Sequence, residues 1–509
     1  MEVSNGAVVK LHNITKSFGS VQANKDVCFE LRRGEILALL GENGSGKTTL
    51  MNMLSGIYYP DSGTIHVDGK EVVIRSPKDA FDLGIGMIHQ HFKLVDVLTA
   101  AENVILGLKG SALINRRKLA SEIREISTKY GFSLDPYKKI YDMSVSEKQK
   151  VEIIKVLYRG ADVLILDEPT AVLTPQEADI LFDMLRKMKE DGKAIIIITH
   201  KLNEVLSLSD RVCILRKGEL VGELETKDAT VQSLTEGMVG RTVNLEIKRE
   251  TGSLGEERIT VSDLTCVNDD GIKALHGVSF GLRAGEILGV AGIAGSGQKE
   301  LCESLTGLYP VESGSIMFTE GEHSSELSGL SPTEIAKKGV HLAFVPEDRL
   351  GMGLVAGLDM VDNMMLKSYH NNKGFLIDRK TPRDAAEKLI KSLEIVTPGV
   401  STPVRRLSGG NVQKVLLGRE IDSKPSVLVV AYPVRGLDIN SSYTIYNLLN
   451  DERKAGVAVL FVGEDLDVLL ELCDRIMVLC GGRVSGIVDA TTATKEELGL
   501  MMTQVNDGE

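Results

Sequence analysis

Residues 41 to 49 read Gly41-Glu42-Asn43-Gly44-Ser45-Gly46-Lys47-Thr48-Thr49, and 251 residues further on the chain reads Gly292-Ile293-Ala294-Gly295-Ser296-Gly297-Gln298-Lys299-Glu300. Three glycines keep their places in both stretches. The lysine and the hydroxyl after it stand only in the first. Ahead of the first stretch, Glu35 to Leu40 is an apolar run of strand length, and Thr48 to Leu54 reads as the start of a helix. A glycine-rich loop between strand and helix, ending in Gly-Lys-Thr, is a cradle for phosphate oxygens, because its backbone N–H groups and the positive end of the helix face the anion. Lys47 is then placed to reach the outer phosphates, and Thr48 to offer its hydroxyl to Mg2+.

The likeness extends outward from the two loops. Phe29-Glu30-Leu31-Arg32-Arg33-Gly34-Glu35-Ile36 matches Phe280-Gly281-Leu282-Arg283-Ala284-Gly285-Glu286-Ile287 at the same offset. Met143-Ser144 matches Leu407-Ser408, and Asp167 matches Ala431, both at an offset of 264, so the second copy holds about 13 extra residues between its glycine loop and its serine motif. So long a period excludes a solenoid and predicts two similar domains, 1–247 and 258–509. The charged, Gly-, Ser- and Thr-rich stretch 248–257 reads as the linker. Val163 to Leu166 and Ala194 to Thr199 are apolar runs that end at Asp167-Glu168-Pro169 and His200. Such strands alternating with helices predict an α/β fold of tandem phosphate-loop domains, each with a mostly parallel sheet and a helical subdomain. The motifs then gather at the carboxyl ends of the strands.

Composition narrows the function. Of 509 residues, 43% are hydrophobic and 26% charged, an ordinary globular balance, and a net charge of −12 without a basic stripe argues against nucleic acid as a partner. No apolar run approaches the length of a membrane span, and Met1 to Lys10 lacks the pattern of a secretory signal. The six cysteines stand singly, without metal-like spacing, and read as scattered core thiols of a cytosolic protein.

Asp167, at the end of a buried strand, is placed to bind the magnesium shell, and Glu168 to orient or deprotonate an attacking water. The order of glycine loop, Gln90, Ser144-Val145-Ser146-Glu147-Lys148-Gln149, Asp167-Glu168 and His200 resembles the ATPase domain of ABC transporters, over nearly the whole chain and twice. The resemblance implies that Gln90 couples the magnesium site to a membrane partner, that His200 senses the γ-phosphate, and that Phe18 stacks on adenine. It also implies that two domains pair head to tail, with ATP between the phosphate loop of one and the Ser-Gly-Gly motif of the other.

The second copy keeps Leu407-Ser408-Gly409-Gly410-Asn411-Val412-Gln413 but little else of that chemistry. Gln298 replaces the lysine, Lys299 the threonine, Ala431 and Tyr432 the Asp-Glu pair, Glu464 the histidine, Glu347 the glutamine and Asp269 the aromatic ring. Such a site, with carboxylates added, is expected to repel ATP. Ser146, where the family expects glycine, faces that degenerate loop in the head-to-tail arrangement. The expectation is one hydrolytic site, built from Phe18, Gly41 to Thr49, Gln90, Asp167, Glu168 and His200 and closed by Ser408, Gly409 and Gly410.

Tandem fusion with a degenerate second loop resembles the ATPases of bacterial importers for simple sugars and nucleosides. Ile85 to Val95 and Ala431-Tyr432-Pro433-Val434-Arg435-Gly436-Leu437-Asp438 resemble the nucleoside members more than the galactose or ribose type, which stays the alternative. The implied partners are two transmembrane permease subunits and an extracytoplasmic solute-binding protein. The implied location is peripheral, at the cytoplasmic face of the inner membrane, with membrane contact through the permeases. A soluble ribosome-associated tandem ATPase would usually keep both glutamates and carry a long helical linker. Here Tyr432 and a linker of about ten residues argue against it.

Overall fold

The structure, a computed structural model, describes residues 6–19, 21–89, 92–108, 115–170, 173–199, 201–242, 247, 249, 254–267, 271–369 and 377–503. The chain forms two compact units, Met1–Asn244 and Leu245–Glu509. In the first, a six-stranded sheet runs in the order Glu219–Glu225, Arg211–Arg216, Ile36–Leu40, Ala194–Ile198, Val163–Asp167, Ile85–Ile88. All its neighbours are parallel except the first pair. The second unit repeats this with Leu342–Val345, Val427–Ala431, Ala458–Val462, Ile287–Ala291, Arg475–Cys480 and Arg483–Asp489.

The apolar runs become the central strands because both their faces are covered. Leu164 and Leu166 join one core cluster, with the helices Ala100–Ile105, Arg116–Lys129 and Val145–Tyr158. Val163 and Ile165 point the other way, into a cluster with Leu37 and Leu39. Alternate side chains of one strand thus enter opposite layers. The parallel sheet is not the only one. Each unit adds a four-stranded antiparallel sheet, Val21–Arg32, Ala7–Phe18, Ser62–Val67, Lys70–Val72 in the first and Lys273–Arg283, Glu257–Val267, Ser313–Glu320, His323–Glu326 in the second. These strands have one wet face. Ala7–Phe18 mixes buried Val9, Leu11 and Ile14 with exposed Lys10, His12 and Asn13, so no continuous apolar run announces it.

Helix starts are written locally. Thr99 with Glu102, Ser144 with Glu147 and Thr174 with Glu177 form reciprocal caps, each side chain taking an N–H the helix leaves open. Cys213, Cys266, Cys302, Cys473 and Cys480 are buried, while Cys28 is exposed and so departs from the expected core thiols.

Both phosphate loops enter their helices through a left-handed glycine, Gly46 at φ 100° and Gly297 at φ 98°. A Cβ on Gly46 would run into the Ala23 carbonyl, and one on Gly297 would lie 2.6 Å from Leu275 Cδ2 and 2.9 Å from the Ala274 carbonyl oxygen. Gly297→Ala is therefore expected to cost about 1–3 kcal/mol, read as a lower unfolding midpoint, although that loop has lost its lysine. An unchanged midpoint would show that the second loop does not need its glycine.

Candidate functional site

The first loop is closed on itself by its lysine. The helix Lys47–Leu54 begins directly after Gly46, and Lys47, only 8% exposed, donates to the carbonyls of Gly41 at 2.6 Å and Glu42 at 3.0 Å. Burial lowers its pKa, against the pull of Glu168, Asp167 and Glu42, which favour the charged form. Ser45 is buried, its N–H donating to Glu42 at 3.1 Å and its carbonyl accepting from Gly218 at 3.0 Å. Asn24, which sequence reasoning missed, is fully buried and donates to the Gly46 carbonyl at 3.2 Å. Thr48 is exposed at the first turn, as are Asn43 and Gly44 in the loop. Thr49 is half-buried.

Asp167 ends the strand Val163–Asp167, and Glu168 follows in left-handed backbone at φ 47°, its N–H donating to Ile198 at 2.9 Å. A non-glycine residue held there is strained, which is common where a side chain must be aimed. Asp167 does not cap the next helix, because Thr174 does. Gln149, on the helix that Ser144 caps, donates to the Pro169 carbonyl at 2.7 Å and ties that helix to the same strand end. Phe18 closes its strand with a 44% exposed ring, edge-on to Tyr58 at 5.2 Å, a surface ring rather than a core one. Gln90, His200 and Asp269 lie outside the described residues.

The second unit keeps the scaffold of this site without its chemistry. Ser296 N–H donates to Ile293 at 3.1 Å, and the Ser296 carbonyl accepts from Gly482 at 3.2 Å, the same bonds as in the first loop. Gln298, buried where Lys47 is buried, donates to the Ile293 carbonyl at 3.1 Å. Lys299, at the Thr48 position, is 70% exposed. Tyr432 repeats the strained turn at φ 48° and the bond to the next strand, here Val462 at 2.9 Å. Burial, then the nearby Glu464 charge, pushes its phenol well above the ordinary value.

The added carboxylates are offset in part. Arg435 pairs with Glu347 and, at 3.2 Å, with Glu464, and its guanidinium lies 5.9 Å from the Tyr432 ring centre. Arg349 donates to the Arg435 carbonyl. The two carboxylates share one cation, so repulsion of ATP is weaker than counting carboxylates suggests. Sequence reasoning missed Arg435 because 88 residues separate it from Glu347.

Ser408 caps the helix Gly409–Asp422 by accepting from the Asn411 N–H at 3.4 Å, which leaves Gly409 and Gly410 in the first turn. Ser144 caps Val145–Tyr158 in the same way, with Ser146 in its first turn. Gln413 stands where Gln149 stands, but it is fully buried and neither amide atom has a hydrogen-bond partner among the described residues.

Burial, and after it the Glu168 charge, pushes the Asp167 carboxyl up to about 6, with Lys47 opposing. The folded chain without nucleotide thus holds that proton more tightly than the unfolded chain. The stability this group contributes is fully present below its ordinary value of 3.8 and is lost as pH rises through about 6. Between about pH 4 and pH 7 the unfolding midpoint of the wild-type chain should fall relative to Asp167→Asn. A gap between the two that does not move with pH would contradict this.

No helix among the described residues is long and apolar enough to cross a membrane. The description "ABC transporter" matches residues 24–171 and 275–433. The chain is 42% identical over 513 residues to the nucleoside import ATP-binding protein NupA of Lactococcus lactis subsp. cremoris, covering 100% of both chains. It is 41% identical over 500 residues to the guanosine import ATP-binding protein NupO of Bacillus subtilis, with 97% of each covered. It is 39% identical over 534 residues to the glucose import ATP-binding protein TsgD13 of Haloferax volcanii, across 98% of this chain and 96% of that one. With two phosphate loops on two α/β units and full-length relatives that bind ATP, the chain belongs to the ABC transporter family and is an ATP-hydrolysing, energy-coupling subunit of an importer.

Proposed function

We propose that the first unit hydrolyses Mg2+–ATP to drive import of nucleosides through a membrane transporter, with the second unit chemically silent. The observation that carries this is the contrast between Lys47, buried with its charge against Asp167 and Glu168, and Gln298 in an otherwise matching loop. In this account ATP phosphates lie along Gly41, Glu42, Asn43, Gly44, Ser45, Gly46, Lys47, Thr48 and Thr49. They compete with the loop carbonyls for the Lys47 ammonium. Phe18 offers its exposed ring to adenine.

Glu168 takes a proton from the attacking water as the new P–O bond forms and the bond to the β-phosphate oxygen breaks. ADP leaves with that electron pair. The Thr48 hydroxyl and the Asp167 carboxylate fit Mg2+, which holds few protein ligands besides phosphate oxygens and would neutralise charge on them. The fit draws on the placing of Asp167, half-buried at the end of its strand and next to Glu168, with the bonds that Gln149 and Ile198 make there holding the two residues after it. Gln90 and His200 complete the site in this proposal, with Ser408, Gly409 and Gly410 closing on the γ-phosphate, and the domain limits are 1–247 and 258–509.

Nucleosides are favoured by the NupA and NupO relatives together with the Ile85–Val95 and Ala431–Asp438 stretches. Simple sugars are the alternative cargo, favoured by TsgD13. The solute would touch two permease subunits and an extracytoplasmic binding protein rather than this chain, which would sit peripherally at the cytoplasmic face of the membrane.

Glu168→Gln should lower turnover by at least about a hundredfold while ATP binding persists. Gln298→Ala or Tyr432→Phe should leave turnover within about twofold. A large loss from the second pair would contradict the asymmetry. Uptake of labelled guanosine or adenosine by vesicles carrying the whole transporter, with galactose and ribose as competitors and Lys47→Ala as the inactive control, tests the cargo. Lys47-dependent nucleoside uptake indifferent to sugars is expected. Sugar uptake with nucleosides inert would move the chain to the other branch.

A further inference from the structure

In both units the stretch that follows the Gln90 or Glu347 position is fastened down by buried polar side chains. In the first, Glu152 on the helix Val145–Tyr158 is 3% exposed and accepts from the Lys93 N–H at 2.7 Å. Lys155, three residues along, donates to the Lys93 carbonyl at 3.0 Å and pairs with Glu152 at 2.8 Å. Buried Asn103 takes both polar groups of Val95, accepting from its N–H at 2.8 Å and donating to its carbonyl at 3.1 Å.

The second unit fastens the same places, one with the same asparagine bonds and the other with different chemistry. Asn363, fully buried, accepts from the Val355 N–H at 2.8 Å and donates to its carbonyl at 3.2 Å. Arg419, standing where Lys155 stands, donates to the Gly353 carbonyl at 2.7 Å. Fully buried Glu420 holds Arg419 and Lys367, each at 2.7 Å. The fastened residues keep one offset, 260, from Lys93 to Gly353 and from Val95 to Val355, although three more residues separate Glu347 from Gly353 than Gln90 from Lys93. An insertion next to the fastening has thus left it in place.

Buried charges are costly unless their hydrogen bonds are well made. The stretches they hold are outer ones, with Val95, Val97, Met352 and Val355 exposed, so packing alone does not call for such anchors. The charged anchors of each unit share one helix, while Asn103 and Asn363 come from the helices Ala100–Ile105 and Met360–Ser368. Glu152 and Lys155 ride on the helix that Ser144 caps, Arg419 and Glu420 on the helix that Ser408 caps.

We infer that Glu152, Lys155 and Asn103, with Arg419, Glu420 and Asn363 in the second unit, are positioning residues. The charged members weld the stretch after the Gln90 or Glu347 position to the helix that starts at the serine motif, and the two asparagines hold it to the helices Ala100–Ile105 and Met360–Ser368. A nucleotide-driven shift of that helix then reaches the outer residues around Val95 and Val355 as one rigid movement, through packed and hydrogen-bonded elements. The inference rests on the proposed function, since a membrane partner is what would use the movement.

Hydrogen exchange on the whole chain tests the weld, and the reconstituted transporter tests its use. In the wild-type chain the Lys93 and Val95 amides should be as protected as the Val145–Tyr158 helix. Glu152→Ala should speed Lys93 exchange by about tenfold while the helix stays protected. A Lys93 amide that exchanges freely in the wild type overturns the inference, whatever the transporter carries. In the transporter, Glu152→Ala should keep the KM for ATP within about twofold and lower solute uptake per ATP by about tenfold. Glu152→Gln still accepts from Lys93 and should recover most of it.

Wild-type uptake per ATP in Glu152→Ala, or a joint loss of hydrolysis and uptake that Glu152→Gln does not rescue, overturns the inference. Lys155→Met, judged by the same criteria, serves if Glu152→Ala does not fold. A wild-type complex that moves neither nucleoside nor sugar defeats the proposed function instead, and hydrogen exchange then decides the weld alone.

Discussion

The buried ammonium of Lys47 is the contact on which the first site depends. It is held by two carbonyls of its own loop while the carboxylates of Glu168 and Asp167 favour its charge. Hydrogen bonds to a charged group contribute about 1.5–3 kcal/mol each, so the lysine shapes its own loop. The same charge couples the loop to the neighbouring strand end, where Asp167 and the strained Glu168 stand. In the proposed function, nucleotide phosphates entering this loop would meet the Lys47 cation beside the carboxylates of Glu168 and Asp167.

The second unit shows that the shape and the chemistry of the loop are separable. Neutral Gln298 makes one of the lysine's structural bonds, and the glycines keep the backbone path. At the strand end Tyr432 inherits the strained turn of Glu168, and Arg435 joins Glu347 to Glu464. The residues that stand in place of the proposed catalytic groups satisfy one another, so the fold does not depend on those groups. Buried Gln413, unlike Gln149, is left without a partner among the described residues, so the helix Gly409–Asp422 lacks the glutamine tie that the first unit makes to its strand end.

Much of this was legible in the sequence. The loops, the central strands and the helix behind Ser408 follow from apolar runs, glycines and caps that act over a few residues. The antiparallel sheets were not legible, because strands such as Ala7–Phe18 keep one face in water and break their apolar pattern at Lys10, His12 and Asn13. Nor were the contacts of Arg435, Asn24 and Glu152, whose partners are distant in sequence: nothing in the one-dimensional spacing says that Glu152 meets Lys93, 59 residues away. Counting carboxylates at Glu347 and Glu464 overlooked the Arg435 between them for that reason.

The central claim is one chemically competent site per chain. The most direct measurement is ADP trapped with vanadate in the assembled transporter, using a photoreactive nucleotide to mark the peptides that hold it. The account predicts one ADP per chain, attached to peptides from Met1–Asn244. Two trapped per chain, or label shared equally with peptides of Leu245–Glu509, would contradict it.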